Sequence, residues 1–360
     1  MIYITYVNLN DIGHIGVKKK IISQIGVFKK EFGKVYLTMY SGQMFYLLED
    51  QKIIEKKLAI TKQICNEILI KWIEKYHIKR TYIRYCFADK WFLQFLKRQK
   101  EMGIKSVLEI PTYPYEGEVD NKRIAIEDNY YKDHLYKYID YVATNSNRET
   151  VLGIKCITLF NGVDIEKNPL CKRKRKDNEI VLIGVSTLEI WHGYERILEG
   201  LHHYNKKPGT YKILFKIIGE GIEDNKYRSF ASKYNLEQFV SFYGRLEGEQ
   251  LNKQYDLSDL AVSSLGLFKT GIQNVTPIKG AEYCARGIPF ICGYHDMRFD
   301  KRFSYIMEVS NDSNPINMYK VIDFYQKVIK KETYQNEMRE YAFQHLTWPG
   351  VMAPIIEALI

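Results

Sequence analysis

The sequence predicts an α/β protein built from two doubly wound domains that face each other across a cleft. Three observations carry that expectation. The chain has 360 residues, more than one core ordinarily serves, and 46% of them are hydrophobic, ample for two. Short β-branched or aromatic runs alternate with segments of helical period from one end to the other. The alternation pauses once, at the basic run "KRKRK" of Lys172–Lys176, and then restarts. Such alternation places parallel strands in a sheet with helices on both faces, and ligands bind beyond the strands' carboxyl ends. The cleft is therefore where a site is sought.

Taken in order, "MIYITYVN", "KVYLTMY", "RTYIRYCF", "KSVLEIP", "YVATNS" and "CITLFNG" read as the strands of the first half, with helices over 17–32, 62–77, 89–101 and 127–138. After the basic run, "EIVLIGVS", "YKILFKIIG", "FVSFYGRL", "LAVSSL" and "IPFICG" read as strands, with helices near 193–204, 223–235, 248–256 and 277–286. The resulting expectation is an N-terminal domain over 1–168, a basic linker over 169–178 and a C-terminal domain over 179–345. A last helix over 346–360 packs back on the first domain.

A formal charge of +10 attracts nucleic acid, anionic lipid and phosphorylated ligands alike. Five successive cations repel one another and stay in water, so "KRKRK" reads first as a solvated linker and second as a contact with anionic lipid. Nucleic acid is set aside because no aromatic stacking pattern or reading helix accompanies the run. The six cysteines contain no C-x-x-C pair, which argues against a zinc site or a disulfide framework and for reduced thiols. The start "MIYITYVNLN" opens directly into a strand, and no apolar run approaches the roughly 18 residues of a membrane span. The expected location is the cytoplasm.

Several loops lie at predicted strand carboxyl ends. In "WHGYERILEGL", His192 and Gly193 stand at the mouth of a helix, where amides and the helix dipole favour an anion; the competing account is a capping or packing histidine beside Trp191, itself read as a packing anchor. "NDIGHIGVKKK" offers Gly13 and Gly16 for close backbone approach and then Lys18, Lys19 and Lys20, although a tight turn and a wet helix face explain them equally. "IIGEGIEDN" has Gly219 and Gly221 but Asp224 where a dinucleotide fingerprint needs a third glycine, which disfavours a nicotinamide cofactor. Gly244, Arg245 and Leu246 end the next strand. In "TPIKGAEYCARGIPF", Lys279 and Glu282 share a helix face. They read either as a surface ion pair or as a lysine for a diphosphate and a carboxylate for two ribose hydroxyls.

The motifs "GHIGVKKKIISQI", "YIRY", "EIPTYPYEGE", "FNGVDI", "WHGYERILEGL", "IIGEG", "VSFYGRL" and "PIKGAEYCARGIPF" run through nearly the whole chain. Together they resemble the GT-B-fold glycosyltransferases of the large family 4 group, most closely bacterial enzymes that build capsular and other surface polysaccharides. The resemblance implies two facing Rossmann-like domains, with a nucleotide-sugar held mainly by the second and the acceptor by the first. It implies that Gly13 and Gly16 face the donor diphosphate, and that Glu282 is the second glutamate of the family's pair, on the ribose. The family's first glutamate falls on Asn274, and its arginine–lysine pair falls on Ser186 or Thr187 and His192, so cationic help is expected from His192, Lys279 or Lys18. Pro111, Thr112 and Tyr113 occupy the place of a family histidine. With Glu116 and Glu118 in the following loop, Thr112 and Tyr113 are acceptor-side candidates.

The expected activity is metal-independent transfer of a hexosyl group, from a UDP-sugar foremost, to a lipid-linked oligosaccharide or polysaccharide, with retention and with no cofactor. His192, Lys279 and Asn274 are the catalytic candidates. No D-x-D pair of a metal-dependent transferase is present. Expected partners are the nucleotide-sugar, the lipid-linked acceptor and an anionic membrane surface touched by Lys18, Lys19, Lys20, Lys29 and Lys30. Two other readings stay open: a sugar-nucleotide epimerase of similar fold, and a catalytically silent partner subunit.

Overall fold

The apolar runs become strands, and the chain sorts them into two sheets. The computed structural model describes all residues except 12–13, 116–120, 174–175, 271–275 and 301. They form two units: Met1–Phe160 with Val351–Ile360, and Asn161–Gly350, against expected ends at 168 and 345.

The first unit runs β1 (Ile2–Ile4), α1 (Ile15–Phe32), β2 (Tyr36–Ser41), β3 (Met44–Glu49), β4 (Lys52–Leu58), α2 (Lys62–Lys75), β5 (Arg80–Arg84), α3 (Lys90–Glu101), β6 (Lys105–Glu109), α4 (Lys122–Tyr131), β7 (Tyr141–Thr144), β8 (Thr150–Val151) and β9 (Ile154–Thr158). The sheet order is β4-β3-β2-β1-β5-β6-β7-β9-β8. Strands β2, β1, β5, β6, β7 and β9 pair in parallel, as expected. The hairpins β2-β3-β4 are antiparallel and were not foreseen. Their turns hold Gly42, Gln43, Asp50 and Gln51 at positive φ, which a two-residue hairpin turn requires and which only Gly42 advertises in the sequence.

Alternation along the strands covers both faces of this sheet. Ile2, Ile4 and Ile83 pack with Leu69 and Trp72 of α2 and Phe92 of α3. On the other face Tyr3, Tyr82 and Phe28 of α1 meet ring to ring at 5.0–5.1 Å. Beneath α1, Glu109 is fully buried at the carboxyl end of β6, held by Lys20 at 2.8 Å and Arg84 at 3.2 Å. Gln24 and the Tyr3 hydroxyl donate to it as well. Lys20 is therefore an internal counter-ion, not a free lysine on a wet face, and Lys29 pairs with Asp50.

The second unit carries β10 (Glu179–Val185), α5 (Glu195–Lys206), β11 (Lys212–Ile218), α6 (Asp224–Lys233), β12 (Val240–Phe242), α7 (Gly248–Asp256), β13 (Leu260–Val262), α8 (Ile278–Ala285), β14 (Phe290–Cys292), β15 (Ile306–Glu308), α9 (Met318–Ile329) and α10 (Tyr334–Tyr341). The last helix, α11 (Trp348–Leu359), supplies its final residues to the first unit, where Arg80 donates to the Leu359 carbonyl. The sheet order is β12-β11-β10-β13-β14-β15, all parallel. Ile180, Leu182, Phe215, Leu260 and Ile291 face a cluster with Ile197 and Leu201 of α5, Tyr227 of α6 and Val321 of α9. Their neighbours Ile183, Ala261, Phe290 and Cys292 face Tyr283 of α8 and Met338 of α10.

One residue of the basic run corrects the sequence reading, while Lys172 and Lys176 are exposed as expected. The run lies inside the second unit, and Arg173 is not solvated: its guanidinium grips Asp259 through two 2.8 Å bonds, with the side chains 6% and 1% exposed. Asp259 also accepts from the Val181 amide, so Arg173 neutralises a carboxylate that a strand start has already buried.

Burial raises the Glu109 carboxyl, but Lys20 and Arg84 outweigh it and hold the group at about 2, against an ordinary 4.5. A depressed folded value means stability present above about pH 4.5 and lost as pH falls towards 2. Glu109→Gln is expected to lower unfolding free energy at neutral pH by on the order of 3 kcal/mol. The gap to the native chain should shrink on acidification through that window, read by urea unfolding at several pH values. An unchanged gap would mean that the charge is not what stabilises.

Candidate functional site

The loops beyond β10, β11 and β12 are joined backbone to backbone. Ser186 donates to Ile218, Leu188 to Glu220, Glu223 to Leu188 and Gly219 to Gly244, at 2.7–3.0 Å. Gly219 adopts φ +128°, and a Cβ there would fall 1.7 Å from the Ser186 carbonyl oxygen. A Cβ on Gly221 would meet the Leu188 backbone at 2.6 Å. These two glycines are thus accounted for by loop packing, and Gly244 sits at φ +64° beside the Glu220 side chain.

That packing delivers the chain to a short 3₁₀ turn, Ile190–His192, capped reciprocally by Glu189: its carboxylate accepts from the His192 amide, and its own amide donates to His192 Nδ1 at 3.1 Å. Gly193 then turns at φ +61° against Gly266, while Leu265 and Gly266 donate to the carbonyls of His192 and Trp191. Only after this does α5 begin, at Glu195. His192 therefore precedes the helix instead of sitting at its mouth. The first turn of α5 carries the carboxylate of Glu195, ion-paired to Lys269, and the Tyr194 amide donates to the Tyr227 hydroxyl. Trp191 is 39% exposed, a surface ring and not a packing anchor.

His192 is 4% exposed, and its Nε2 lies 2.9 Å from Nζ of Lys279 in α8. Burial and then Lys279 lower the imidazole to about 3. Burial likewise lowers Lys279 to about 7, with Glu282 opposing. The surface ion pair that was one of two readings of Lys279 and Glu282 does not form: both are partly buried, and the Glu282 carboxylate has no hydrogen-bond or ion-pair partner among the described residues. Burial pushes the Glu282 carboxyl up, against the nearby charges of Arg286, Lys279 and Arg298. A neutral histidine, a lysine easily deprotonated and an unengaged carboxylate thus share one patch beyond β10.

The other candidates are dispersed. Arg245 is exposed and engaged by Glu247 at 2.6 Å, and Leu246 packs half-buried on the core. In the first unit Gly16 is exposed in α1 with open space around it, and Lys18 is partly buried. Thr112 is exposed, and the Tyr113 hydroxyl accepts from Arg148. Gly13, Glu116, Glu118 and Asn274 lie outside the described residues. Sequence reasoning missed a cavity of about 540 Å³ at the carboxyl ends of β1, β2 and β5, lined by Tyr6, His14, Tyr40, Arg84, Tyr85 and Phe87. The signal was present as tyrosines ending "MIYITYVN" and "RTYIRYCF". Among the described residues no cluster of His, Cys, Asp or Glu is placed to hold a metal ion, and no helix is long and apolar enough to cross a membrane.

The two α/β units together have the GT-B fold. Over 99% of its length the chain is similar to a glycosyltransferase from Rickettsia africae ESF-5, covering 97% of that chain at 12% identity with a TM-score of 0.66. A sucrose-phosphate synthase from Thermosynechococcus elongatus is similar over 99% of this chain and 96% of its own, at 12% identity and a TM-score of 0.57. Anabaena HepE in complex with UDP follows, with 82% and 81% covered, 14% identity and a TM-score of 0.55. Residues 168–298, which hold His192, Lys279 and Glu282, match the family described as glycosyl transferases group 1. No curated protein matches the sequence.

The two kinds of glycine predict opposite outcomes. Gly219→Ala is expected to destabilise by on the order of 1–3 kcal/mol from backbone strain alone. Gly16→Ala, in open space on a helix, should leave stability equal or raised by up to about 1 kcal/mol. Urea unfolding distinguishes them; equal effects would remove loop packing as the reason for Gly219.

Proposed function

We propose that the chain transfers a sugar from a nucleotide-sugar, a UDP-sugar foremost, to a saccharide acceptor. The observation that carries this reading is the unengaged, partly buried Glu282 carboxylate one helical turn from Lys279, inside the segment that matches glycosyl transferases group 1. A carboxylate with both oxygens unoccupied accepts hydrogen bonds from two adjacent ribose hydroxyls, and Lys279 at the head of α8 meets the diphosphate. The UDP and UDP-glucose complexes of Anabaena HepE support UDP as the nucleotide.

In this reading the reaction retains anomeric configuration. The departing diphosphate oxygen receives the acceptor proton, so no carboxylate base is needed, and the protein orients the partners and stabilises the charge that develops on the leaving group. Lys279 supplies that stabilisation with His192 behind it, and Asn274 addresses the donor sugar in place of a carboxylate. No metal or other cofactor takes part. The acceptor is assigned to the first unit, whose aromatic cavity is open to a saccharide; Thr112, Tyr113, Glu116 and Glu118 remain acceptor-side candidates from the sequence. A catalytically silent partner subunit is the second reading, favoured by the neutral His192 where the family resemblance implies a lysine.

Glu282→Ala should weaken UDP binding by about 1.5–3 kcal/mol, the scale of a hydrogen bond to a charged group, with the fold intact by circular dichroism. Unchanged binding by calorimetry would remove Glu282 from the site. Hydrolysis of any one of a panel of nucleotide-sugars separates the enzyme from the silent subunit.

The proposed acceptor is lipid-linked, reached at the inner face of the cell membrane. The charge of +10 supports an anionic surface as partner, as do Lys19 and Lys30, exposed on α1 without an ion pair among the described residues. Each lysine near such a surface contributes roughly 1 kcal/mol, screened by salt. The protein should sediment with anionic vesicles at low salt, less at high salt, and less again as Lys19→Glu with Lys30→Glu. Equal binding to neutral vesicles would contradict this.

A further inference from the structure

The contact between His192 and Lys279 constrains where protons sit. The Glu189 amide donates to Nδ1 at 3.1 Å, so Nδ1 presents its lone pair and the neutral ring carries its proton on Nε2. Nε2 lies 2.9 Å from Lys279 Nζ. An N–H facing an ammonium at that distance sets donor against donor; the contact is a hydrogen bond only when Nε2–H donates to a free amine. The other neutral tautomer, and the imidazolium, would point a second N–H at the Glu189 amide.

The surroundings agree. On α8 itself Glu282 lies one turn on and Arg286 a further turn, and neither bonds to Lys279. From the loop after β14, Asp296 and Arg298 reach Gly280, but they pair with each other at 2.6 Å. From the 189–195 segment, Glu189 is occupied as a cap and Glu195 by Lys269, while the rings of Trp191 and Tyr194 stand 5.9 and 5.8 Å from His192. No described carboxylate bonds to the Lys279 nitrogen, so a charged lysine here would be partly buried beside a donor; burial displaces its titration down to about 7, against the nearby charge of Glu282.

We propose that Lys279 rests as a free amine accepting from His192, and that an entering anion draws one solvent proton onto it, so that ligand binding and proton uptake are a single event. The amine lone pair forms the new N–H bond. The contact with Nε2 then breaks, leaving the ammonium and the freed Nε2–H both to donate to the anion. Glu189 is the positioning residue in this scheme, acting through His192 Nδ1, and only the identity of the anion as a diphosphate rests on the reading given under Proposed function.

Two measurements test it. In the free protein with ¹³C-labelled lysine, the ε-methylene resonances should show one lysine titrating near neutrality that is missing in Lys279→Arg; in His192→Ala its midpoint should move upward. If every lysine keeps an ordinary midpoint, the free amine is overturned. Calorimetry with UDP, and with inorganic pyrophosphate, in two buffers of different ionisation enthalpy should register uptake of about one proton near pH 8, where UDP itself no longer titrates, and affinity falling about tenfold per pH unit above neutrality. Lys279→Arg, always charged, should take up none and bind with little pH dependence. UDP binding without uptake overturns the coupling. If a lysine titrates near neutrality but neither ligand binds at any pH, the donor-site reading falls and the coupling with it, while the free amine stands.

Discussion

The site in the second unit depends on one close approach of backbone to backbone. The Ser186 carbonyl lies where a side chain on residue 219 would have to stand, so the loops after β10 and β11 run together only with glycine there. That approach sets the path of 186–189, which ends in the Glu189 cap, and the contact of Gly193 with Gly266 turns the chain into α5. His192 is delivered to α8 between these two glycine contacts. Its ring is oriented by a main-chain amide, a partner that no side-chain rotation can withdraw.

Buried charge is treated differently in the working patch and elsewhere. Glu109 has two cations and two neutral donors; Asp259 has a two-pronged arginine and an amide. Asp296 and Arg298 satisfy each other. Among the described residues Glu282 has no such partner, and the Lys279 nitrogen bonds to an imidazole alone. Leaving both incompletely paired costs stability, which is the usual condition of groups that must bind something else. The same contrast separates Lys20, a structural counter-ion, from Lys279.

Period-two and period-3.6 apolar patterns made most of the elements legible, because the strands of the second sheet are buried on both faces and the helices on one. The β3–β4 hairpin was illegible for a local reason: Asp50 and Gln51 take positive φ without the glycine or asparagine that usually marks it, and β4 is rich in lysine. Arg173 of "KRKRK" was misread for a distant one, since its counter-ion lies 86 residues along the chain. His192, Lys279 and Glu282 stood out as residues, but the His192–Lys279 contact spans 87 residues, and its proton arrangement depends on a cap that no motif encodes. One glycine and one 3₁₀ turn were enough to move His192 off the helix mouth.

The first sheet ends on one side in β4, whose backbone edge has no neighbour in the sheet order, and on the other in β8, only two residues long. An open strand edge is a template on which another chain can extend the sheet. β8 is too short to serve as one. β4 is long enough and exposes Ile53, Ile54 and Leu58, but Lys52, Lys56 and Lys57 are interleaved with them along the same seven residues. Two copies meeting edge to edge would bring these like charges together, which opposes that pairing.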